Sequence, residues 1–263
     1  MENVKKNISA DMSGNILDIK DLAVSFDVYG LRSYVLDGIN FTVKKGQRVG
    51  LVGESGCGKT TTLKAILRVL AKNGRIDSGD IEFEGNSIYG MKADKLAHMR
   101  QTGVGMIFQD PSSALNPVFT IESQFLTALK YAYNKTKTKS ELQKIAIEAL
   151  ESVMLPDPER IMSSYPFQLS GGMRQRVCIA ITIAAGRKVL LADEPGTSLD
   201  VTIQDQILRL INKLVEEKDL SVIMVSHSLG VIRETTDIVN IMYAGSIVES
   251  GKTDDVFHNP KHP

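Results

Sequence analysis

The chain of 263 residues has few cysteines, no excess of either charge and no long apolar run. Its two cysteines, Cys57 and Cys178, lie far apart, which excludes a disulfide framework and favours reduced cytosolic thiols. Lys plus Arg and Asp plus Glu both number 31, so the formal net charge is zero. A neutral chain without a dominant basic block argues against nucleic acid as the main ligand, and we expect no nucleic-acid partner.

No uninterrupted apolar run approaches the roughly 18 residues that a membrane span needs. The N-terminal stretch MENVKKNISADMSGN is polar and lacks the apolar centre of a secretory signal. We therefore expect residues 1–15 to form a flexible tail on a soluble protein. Any role at a membrane would then come through a partner.

Apolar segments typical of strands alternate with amphipathic segments typical of helices. The predicted strands are 16–26, 39–43, 48–52, 81–85, 103–108, 188–195 and 220–227, the helices are 60–70, 140–155 and 201–218, and a hairpin turns at 244–245. Such alternation predicts an α/β fold with a parallel sheet covered on both faces. Helical patterns dominate residues 120–187, which predicts a helical lobe inserted at about 112–187.

Residues 53–60, GESGCGKT, fit the pattern G-x-x-x-x-G-K-[ST] in full. The motif follows a predicted strand and opens a predicted helix, and this context disfavours a chance glycine-rich turn. Glycines let such a loop wrap a phosphate chain so that backbone N–H groups point inward. Lys59 would reach the β and γ phosphates, and the Thr60 hydroxyl would ligate Mg²⁺. The predicted ATP-binding residues of this loop are Gly53, Glu54, Ser55, Gly56, Cys57, Gly58, Lys59, Thr60 and Thr61.

Polar side chains stand at the ends of three predicted buried strands, where ligands bind in open α/β sheets. Asp193 suits a carboxylate linked to Mg²⁺, and Glu194 suits a general base for an attacking water. His227 and Gln109 end two further strands, next to the same predicted crevice. Taken singly, these residues could be solvated acids, a structural histidine and a surface glutamine. Beside a phosphate loop, a shared catalytic site is the stronger interpretation.

A second anion site is predicted at Ser170-Gly171-Gly172, which opens an apolar, helix-like run. A helix start of this kind bares N–H groups and the positive end of the helix dipole. The sequence therefore places two phosphate cradles in one chain, more than a hundred residues apart.

Together these motifs resemble those of the ATP-binding subunits of ABC transporters, over residues 16–263. GESGCGKT matches the Walker A motif, Gln109 the Q-loop, LSGGMRQR (169–176) the signature, VLLADE (189–194) Walker B, SLD (198–200) the D-loop and His227 the switch histidine. The resemblance implies a P-loop NTPase fold: a RecA-like parallel sheet with helices on both faces, an antiparallel β subdomain and an inserted helical lobe. The core would comprise residues 16–111 and 188–263, and the helical subdomain 112–187.

In this family two subunits pair head to tail, and the signature of one caps the ATP of the other. The resemblance implies that role for Ser170, Gly171, Gly172 and Gln175. It also implies that Glu194 polarises the attacking water, that His227 and Gln109 contact the γ-phosphate, that Thr60, Gln109 and Asp193 hold Mg²⁺, and that Asp200 couples the two sites. An aromatic residue usually stacks on adenine; Tyr29 is our prediction and Tyr34 the alternative.

The stretches FQDPSSALNPVFTIESQ (108–124) and YPFQLSGGMRQRV (165–177) resemble the importers of oligopeptides, dipeptides and nickel. This branch implies a second ATPase subunit, more often different than identical, two membrane permease subunits and an extracellular or periplasmic solute-binding protein. The chain would then act peripherally on the cytoplasmic face of the membrane. The sequence leaves the solute open, with the short chain tilting slightly towards nickel or metal chelates. The rival interpretations are a soluble ABC ATPase of the DNA-repair or chromosome type, a binding module without hydrolysis and an exporter subunit.

Overall fold

The computed structural model of the chain describes residues 14–133 and 135–262. The predicted tail, residues 1–15, lies outside the described residues except for its last two, and the first strand begins at Asn15. The strands are β1 Asn15–Val28, β2 Leu31–Lys44, β3 Arg48–Gly53, β4 Gly74–Phe83, β5 Asn86–Ser87, β6 Val104–Ile107, β7 Val189–Asp193, β8 Ser221–Ser226, β9 Ile238–Tyr243 and β10 Ser246–Lys252. Every strand predicted from the sequence overlaps one of these, although β2 and β4 begin well before their predicted starts.

The helices are α1 Lys59–Ile66, α2 Ala93–His98, α3 Pro111–Ala114, α4 Ile121–Ala132, α5 Lys139–Ser152, α6 Pro158–Ser163, α7 Gly171–Ala184, α8 Val201–Lys218, α9 Leu229–Thr235 and α10 Thr253–His258. A π-helical stretch, Met99–Gly103, joins α2 to β6. Within the described ranges, no helix has the length and apolar character to span a membrane.

A six-stranded sheet with the order β10-β9-β3-β8-β7-β6 forms the centre of the molecule. The pairs β9–β3, β3–β8, β8–β7 and β7–β6 are parallel, and β10 adds an antiparallel edge. Strands β7 and β8 are buried along their whole length, which explains why their sequences read as continuous apolar runs. The carboxyl ends of β3, β6, β7 and β8 therefore meet along one edge of the sheet, and the predicted catalytic residues follow these ends.

A second, antiparallel sheet has the order β2-β1-β4-β5. Its β1–β2 hairpin turns at Tyr29 and Gly30, whose φ angles of 50° and 78° lie in the left-handed region that two-residue hairpin turns require. β2 begins at Leu31, well before the predicted start at residue 39, because it pairs with β1 as far as this turn. The outer residues 31–34 of β2 are exposed on the hairpin and do not alternate between apolar and polar, so the sequence gives no strand signal there.

The chain between β6 and β7 forms helices α3 to α7, where the sequence predicts an inserted lobe. Capping side chains start all five of these helices: Asp110, Thr120, Thr138, Asp157 and Ser170 each accept a bond from a backbone N–H in the first turn. Fully buried side chains, among them Phe125 of α4, join the lobe to the apolar core beneath the parallel sheet. The predicted fold class is confirmed by both sheets and by these helices.

The helix after the glycine-rich loop is shorter than predicted. It ends at Ile66, and Arg68 adopts φ 51°. The N–H groups of Arg68 and Val69 return to the carbonyls of Ala65 and Lys64, at 3.0 and 2.9 Å, which is the hydrogen-bond pattern of a Schellman motif. The apolar periodicity continues through this turn, so the sequence gives no warning of it.

Candidate nucleotide-binding site

The loop 53–60 is folded tightly around the side chain of Lys59. The Lys59 ammonium is buried and donates to the carbonyl oxygens of Gly53 at 2.7 Å and Glu54 at 2.8 Å. Gly58 has φ 108°, and a Cβ at this position would lie 2.4 Å from Cδ2 of Leu36 on β2. The loop is therefore already curved, with a positive charge at its centre, as a phosphate-binding loop requires.

Most of the predicted phosphate-binding residues line one open cleft of about 300 Å³ with Gln109 and Glu194. Its lining residues are Ser55, Gly56, Gly58, Lys59, Thr60, Thr61, Gln109 and Glu194. A larger groove of about 820 Å³ beside α2 contains none of the predicted site residues. We therefore place the candidate site in the smaller cleft, because the Lys59 ammonium, the Glu194 carboxylate and the glycine-rich loop converge there.

Thr60 and Asp193 meet across the cleft. The Thr60 hydroxyl donates to Oδ1 of Asp193 at 2.9 Å. Burial raises the pKa of Asp193, and the bond from Thr60 opposes that rise. A hydroxyl beside a buried carboxylate is a hard oxygen pair of the kind that Mg²⁺ binds, so these two residues fit the predicted metal.

Three strand ends converge on the carboxylate of Glu194. Its Oε2 accepts from Nε2 of Gln109 at 3.3 Å and lies 3.2 Å from Nδ1 of His227. Glu194 itself has φ 46°, and its backbone N–H donates to the Val225 carbonyl at 3.0 Å. The left-handed turn directs the side chain out of the strand line and into the cleft. The structure thus brings together Gln109, Glu194 and His227, which the sequence separates by up to 118 residues.

The signature segment lies at the start of α7, outside the residues that line the cleft. Ser170 is exposed and caps the helix by accepting from the Met173 N–H at 3.3 Å. A Cβ on Gly171 or Gly172 would lie 2.9 Å from Leu199 or Ile203, so both glycines allow α7 to pack closely on the D-loop and α8. Asp200 caps α8 through the Ile203 N–H at 3.0 Å.

Gln175 is not placed where the sequence analysis expects it. The residue is fully buried on the inward face of α7, and its amide atoms have no hydrogen-bond partner within the described residues. A side chain in this position faces the interior of its own chain, and its contact with a partner subunit's ATP stays a prediction. The helical period places it on the same face as Cys178 and Thr182, which are also buried.

Neither of the two tyrosines considered for the base lines the cleft. Tyr29 is fully exposed at the tip of the β1–β2 hairpin. Tyr34 pairs with Ser25 while Leu36 pairs with Val24, so a bulge at position 35 puts Tyr34 and Leu36 on opposite faces. Arg32 stacks on the Tyr34 ring at 5.3 Å on that opposite face.

Phe26 is a further aromatic residue near the loop, which the sequence analysis did not consider for the base. It pairs with Ser33 and lies two residues beyond Val24, on the face from which Leu36 contacts the loop at Gly58. Its ring is partly buried against the apolar core and touches the position of Gly74, where a Cβ would lie 2.6 Å away. The alternation of side chains along β1 shows that Val24 and Phe26 share a face. Only the register of β2, with its bulge, shows that this face meets the loop.

Comparisons with known proteins agree with this geometry. The model of the family described as "ABC transporter" matches residues 36–197. The "Oligopeptide transport ATP-binding protein OppD" of Bacillus subtilis (strain 168) is 43% identical over 249 residues, which are 94% of this chain and 69% of that protein. The "Dipeptide transport ATP-binding protein DppD" of Lactococcus lactis subsp. cremoris (strain MG1363) is 40% identical, over 94% of this chain and 71% of that protein.

Among solved structures, the fold resembles that of the ATP-binding cassette MJ0796 in a dimeric, post-hydrolysis state bound to ADP and Pi. The TM-score is 0.80 and the identity 27%, over 90% of this chain and 98% of that one. The resemblance to ABC transporter subunits inferred from the motifs is thereby confirmed. Since the family model covers more than half of the residues, the chain belongs to the ABC transporter family.

Proposed function

We propose that this ABC family member is the ATP-hydrolysing subunit of an importer that takes up peptides. The observation that carries the proposal is the cluster of Gln109, Glu194 and His227 beside Lys59 and the Thr60–Asp193 pair. The relatives named for oligopeptide and dipeptide transport support peptides as the solute. The short chain slightly favoured nickel or metal chelates in the sequence analysis, but none of the named relatives is described as a nickel transporter.

The phosphate chain of the substrate ATP would lie in the loop 53–60, against backbone N–H groups and the first turn of α1. Lys59 would exchange its two carbonyl contacts for phosphate oxygens, which an ammonium with three donors can do without moving its stem. Thr60, Asp193 and Gln109 would hold Mg²⁺. When bound, Mg²⁺ would neutralise charge on the phosphate oxygens.

Glu194 would accept the proton of the attacking water. In the structure its Oε2 is already held by Gln109 and His227, so the carboxylate has a fixed direction before substrate arrives. His227 would keep the water and the γ-phosphate in place, and Gln109 would orient the water through a neutral amide.

The exposed start of α7 would complete a second subunit's site. Ser170, Gly171 and Gly172 present N–H groups at a helix start, away from the chain's own cleft. Two ATPase subunits, identical or, as is commoner in this branch, different, would pair so that the signature of each subunit covers the ATP bound by the other. Asp200 would couple the sites, since it caps α8 next to the residues that pack on the signature glycines. ATP would then favour the closed pair by differential affinity, and hydrolysis would release it.

Phe26 replaces Tyr29 and Tyr34 in the proposal as the residue that stacks on adenine. Its face of the antiparallel sheet is the one that meets the phosphate loop, and base stacking on an aromatic ring tolerates an edge that is partly buried. Comparing Phe26→Ala with Tyr29→Ala tests this assignment directly. Only the former should weaken ATP binding.

The permease contact would come from the helical lobe. Val118 and Phe119 are exposed just after the Q-loop, and the amide of Gln124 holds their loop through the carbonyls of Asn116 and Phe119 at 2.9 and 3.0 Å. Such a fixed apolar projection suits a short permease helix. Two permease subunits and a solute-binding protein outside the cell would complete the importer, with this chain on the cytoplasmic face.

Uptake by cells tests the proposal. A strain whose only change is Lys59→Ala in this protein would receive a radiolabelled dipeptide, a labelled longer peptide and labelled nickel, free and chelated. We expect peptide entry to be lost and nickel entry to persist. Loss of nickel entry alone would overturn the choice of solute.

Hydrolysis is measured separately with purified protein. Glu194→Gln should lower phosphate release by roughly 10²–10⁴-fold, as loss of a general base does, while ATP still binds. Glu249→Gln is a matched control, because that glutamate lies on β10 outside the cleft. Normal turnover by Glu194→Gln would refute the assignment of the base.

A further inference from the structure

Arg187 connects three elements of the fold at the end opposite to the nucleotide cleft. It follows Gly186, just beyond α7, and its Nε donates to the Thr182 carbonyl in the last turn of that helix at 3.1 Å. Its Nη1 donates to the carbonyls of Arg100 at 2.7 Å and Val104 at 2.8 Å. The guanidinium thus fastens the signature helix to the π-helical stretch and to β6.

The position of Arg187 is closely packed. A Cβ on Gly105 would lie 2.3 Å from Cδ of Arg187 and 2.7 Å from Cγ2 of Thr182. Burial lowers the pKa of Arg187, yet an arginine keeps its charge under physiological conditions. A planar fork of donors serves several carbonyls at once, which a lysine ammonium cannot reproduce in the same geometry. The contact is therefore specific for arginine.

Arg100 continues the connection towards the phosphate loop. Its Nε donates to the Leu67 carbonyl and its Nη2 to the Arg68 carbonyl, both at 2.8 Å. These carbonyls belong to the Schellman turn that ends α1, where a cation also meets the negative end of the helix dipole. Since the Arg100 carbonyl accepts from Arg187, the two arginines act in series between α1 and α7.

Three of the elements that the two arginines join carry functional groups at their other ends. α1 begins at Lys59, β6 leads to Gln109, and α7 begins after Ser170. About 12 residues separate Ser170 from Thr182, which is about 18 Å of helix. A rotation of about 10° about the Arg187 end would therefore move Ser170 by about 3 Å, the length of a hydrogen bond.

We propose that Arg187 and Arg100 are positioning residues that couple the phosphate loop of this chain to the orientation of its own signature helix. The inference rests on the proposed ATPase function. Shifts of α1 on binding phosphate reach the π-helical stretch through Arg100 and reach α7 through Arg187. This relay of two arginines, Arg100 and Arg187, sets the position of Ser170 relative to a second subunit.

The test compares the full-length chain with Arg187→Lys, Arg100→Lys, the double variant and the control Lys188→Ala. Lys188 is the exposed neighbour of Arg187 and forms an ion pair with Glu84. Each protein is incubated with a non-hydrolysable ATP analogue and Mg²⁺. Hydrogen–deuterium exchange is followed along α7, and analogue affinity is measured by calorimetry.

The wild type and Lys188→Ala should show an analogue-dependent change in exchange in the first turn of α7. Arg187→Lys should lose that change while binding the analogue within about threefold of wild type, which is less than 1 kcal/mol. Arg100→Lys should lose the change as well, and the double variant should resemble either single variant, because residues in series are not additive.

A full analogue-dependent change in exchange in Arg187→Lys would overturn the relay. A loss of analogue binding in proportion to a loss of stability would also overturn it, because it would indicate a structural role only. A full response in Arg100→Lys would show that Arg187 acts without Arg100 and would also refute the relay. Failure of the wild type to bind the analogue would refute the proposed function itself, and the relay with it.

Discussion

Replacing Gly58 by alanine should disrupt the phosphate loop through one identifiable contact. Gly58 has φ 108°, a conformation that costs an L-residue about 1–2 kcal/mol. The added methyl would lie 2.4 Å from Cδ2 of Leu36, whereas carbon atoms in contact prefer about 3.5–4.0 Å. Overpacking of this kind costs about 1–3 kcal/mol. We therefore expect Gly58→Ala to lower the free energy of unfolding by about 2–5 kcal/mol.

Gly56 provides the matched control in the same loop. It has φ 85°, and no atom lies within 4 Å of its notional Cβ. Gly56→Ala should therefore show only the conformational cost of about 1–2 kcal/mol. Urea unfolding of the nucleotide-free protein measures the free energy of unfolding of both variants. ATP titration measures how much affinity each altered loop retains.

A double-mutant cycle with Leu36→Val identifies the contact. Valine lacks the Cδ2 atom that the new methyl would meet, so the double variant should be more stable than the sum of the single changes predicts, by at least about 0.5 kcal/mol. Additive losses, or equal losses for Gly56→Ala and Gly58→Ala, would show that the contact with Leu36 does not determine the effect.

Three further predictions concern burial. Burial holds the pKa of Asp193 above its ordinary 3.8, so the stabilising contribution of this residue is complete below that pH and falls as the pH rises. Asp193→Asn should therefore raise the urea midpoint of the nucleotide-free protein at pH 7 but not at pH 3.5. An equal change in the midpoint at both pH values would contradict this. Phe125→Ala should cost about 3–5 kcal/mol in urea unfolding, since the ring is fully buried in the lobe; a loss below 1 kcal/mol would refute it. Burial raises the pKa of the Cys178 thiol to about 12, so iodoacetamide at pH 8 should leave it unmodified in the native protein and modify it in urea, as peptide mass spectrometry would show.

The sequence by itself determined the features that depend on neighbouring residues. GESGCGKT specifies a curved loop because its glycines and lysine are consecutive, and the loop folds around Lys59 as expected. The apolar runs of β7 and β8 predicted buried parallel strands, because strands covered on both faces cannot alternate with polar residues. Strand ends meet at one edge of a parallel sheet, so the sequence also placed Glu194 and His227 in one crevice.

Only the tertiary structure decided features that depend on register and on distant contacts. A one-residue bulge in β2 places Tyr34 and Leu36 on opposite faces of the sheet. Phe26, and not Tyr34, therefore lies on the face from which Leu36 contacts the loop. Helix periodicity buried Gln175, although it belongs to the signature motif. Arg100 and Arg187, 87 residues apart in the chain, meet because α1 and α7 end, and β6 begins, at the same side of the core. No local pattern encodes such a meeting, since it is the packing of whole elements that brings their ends together.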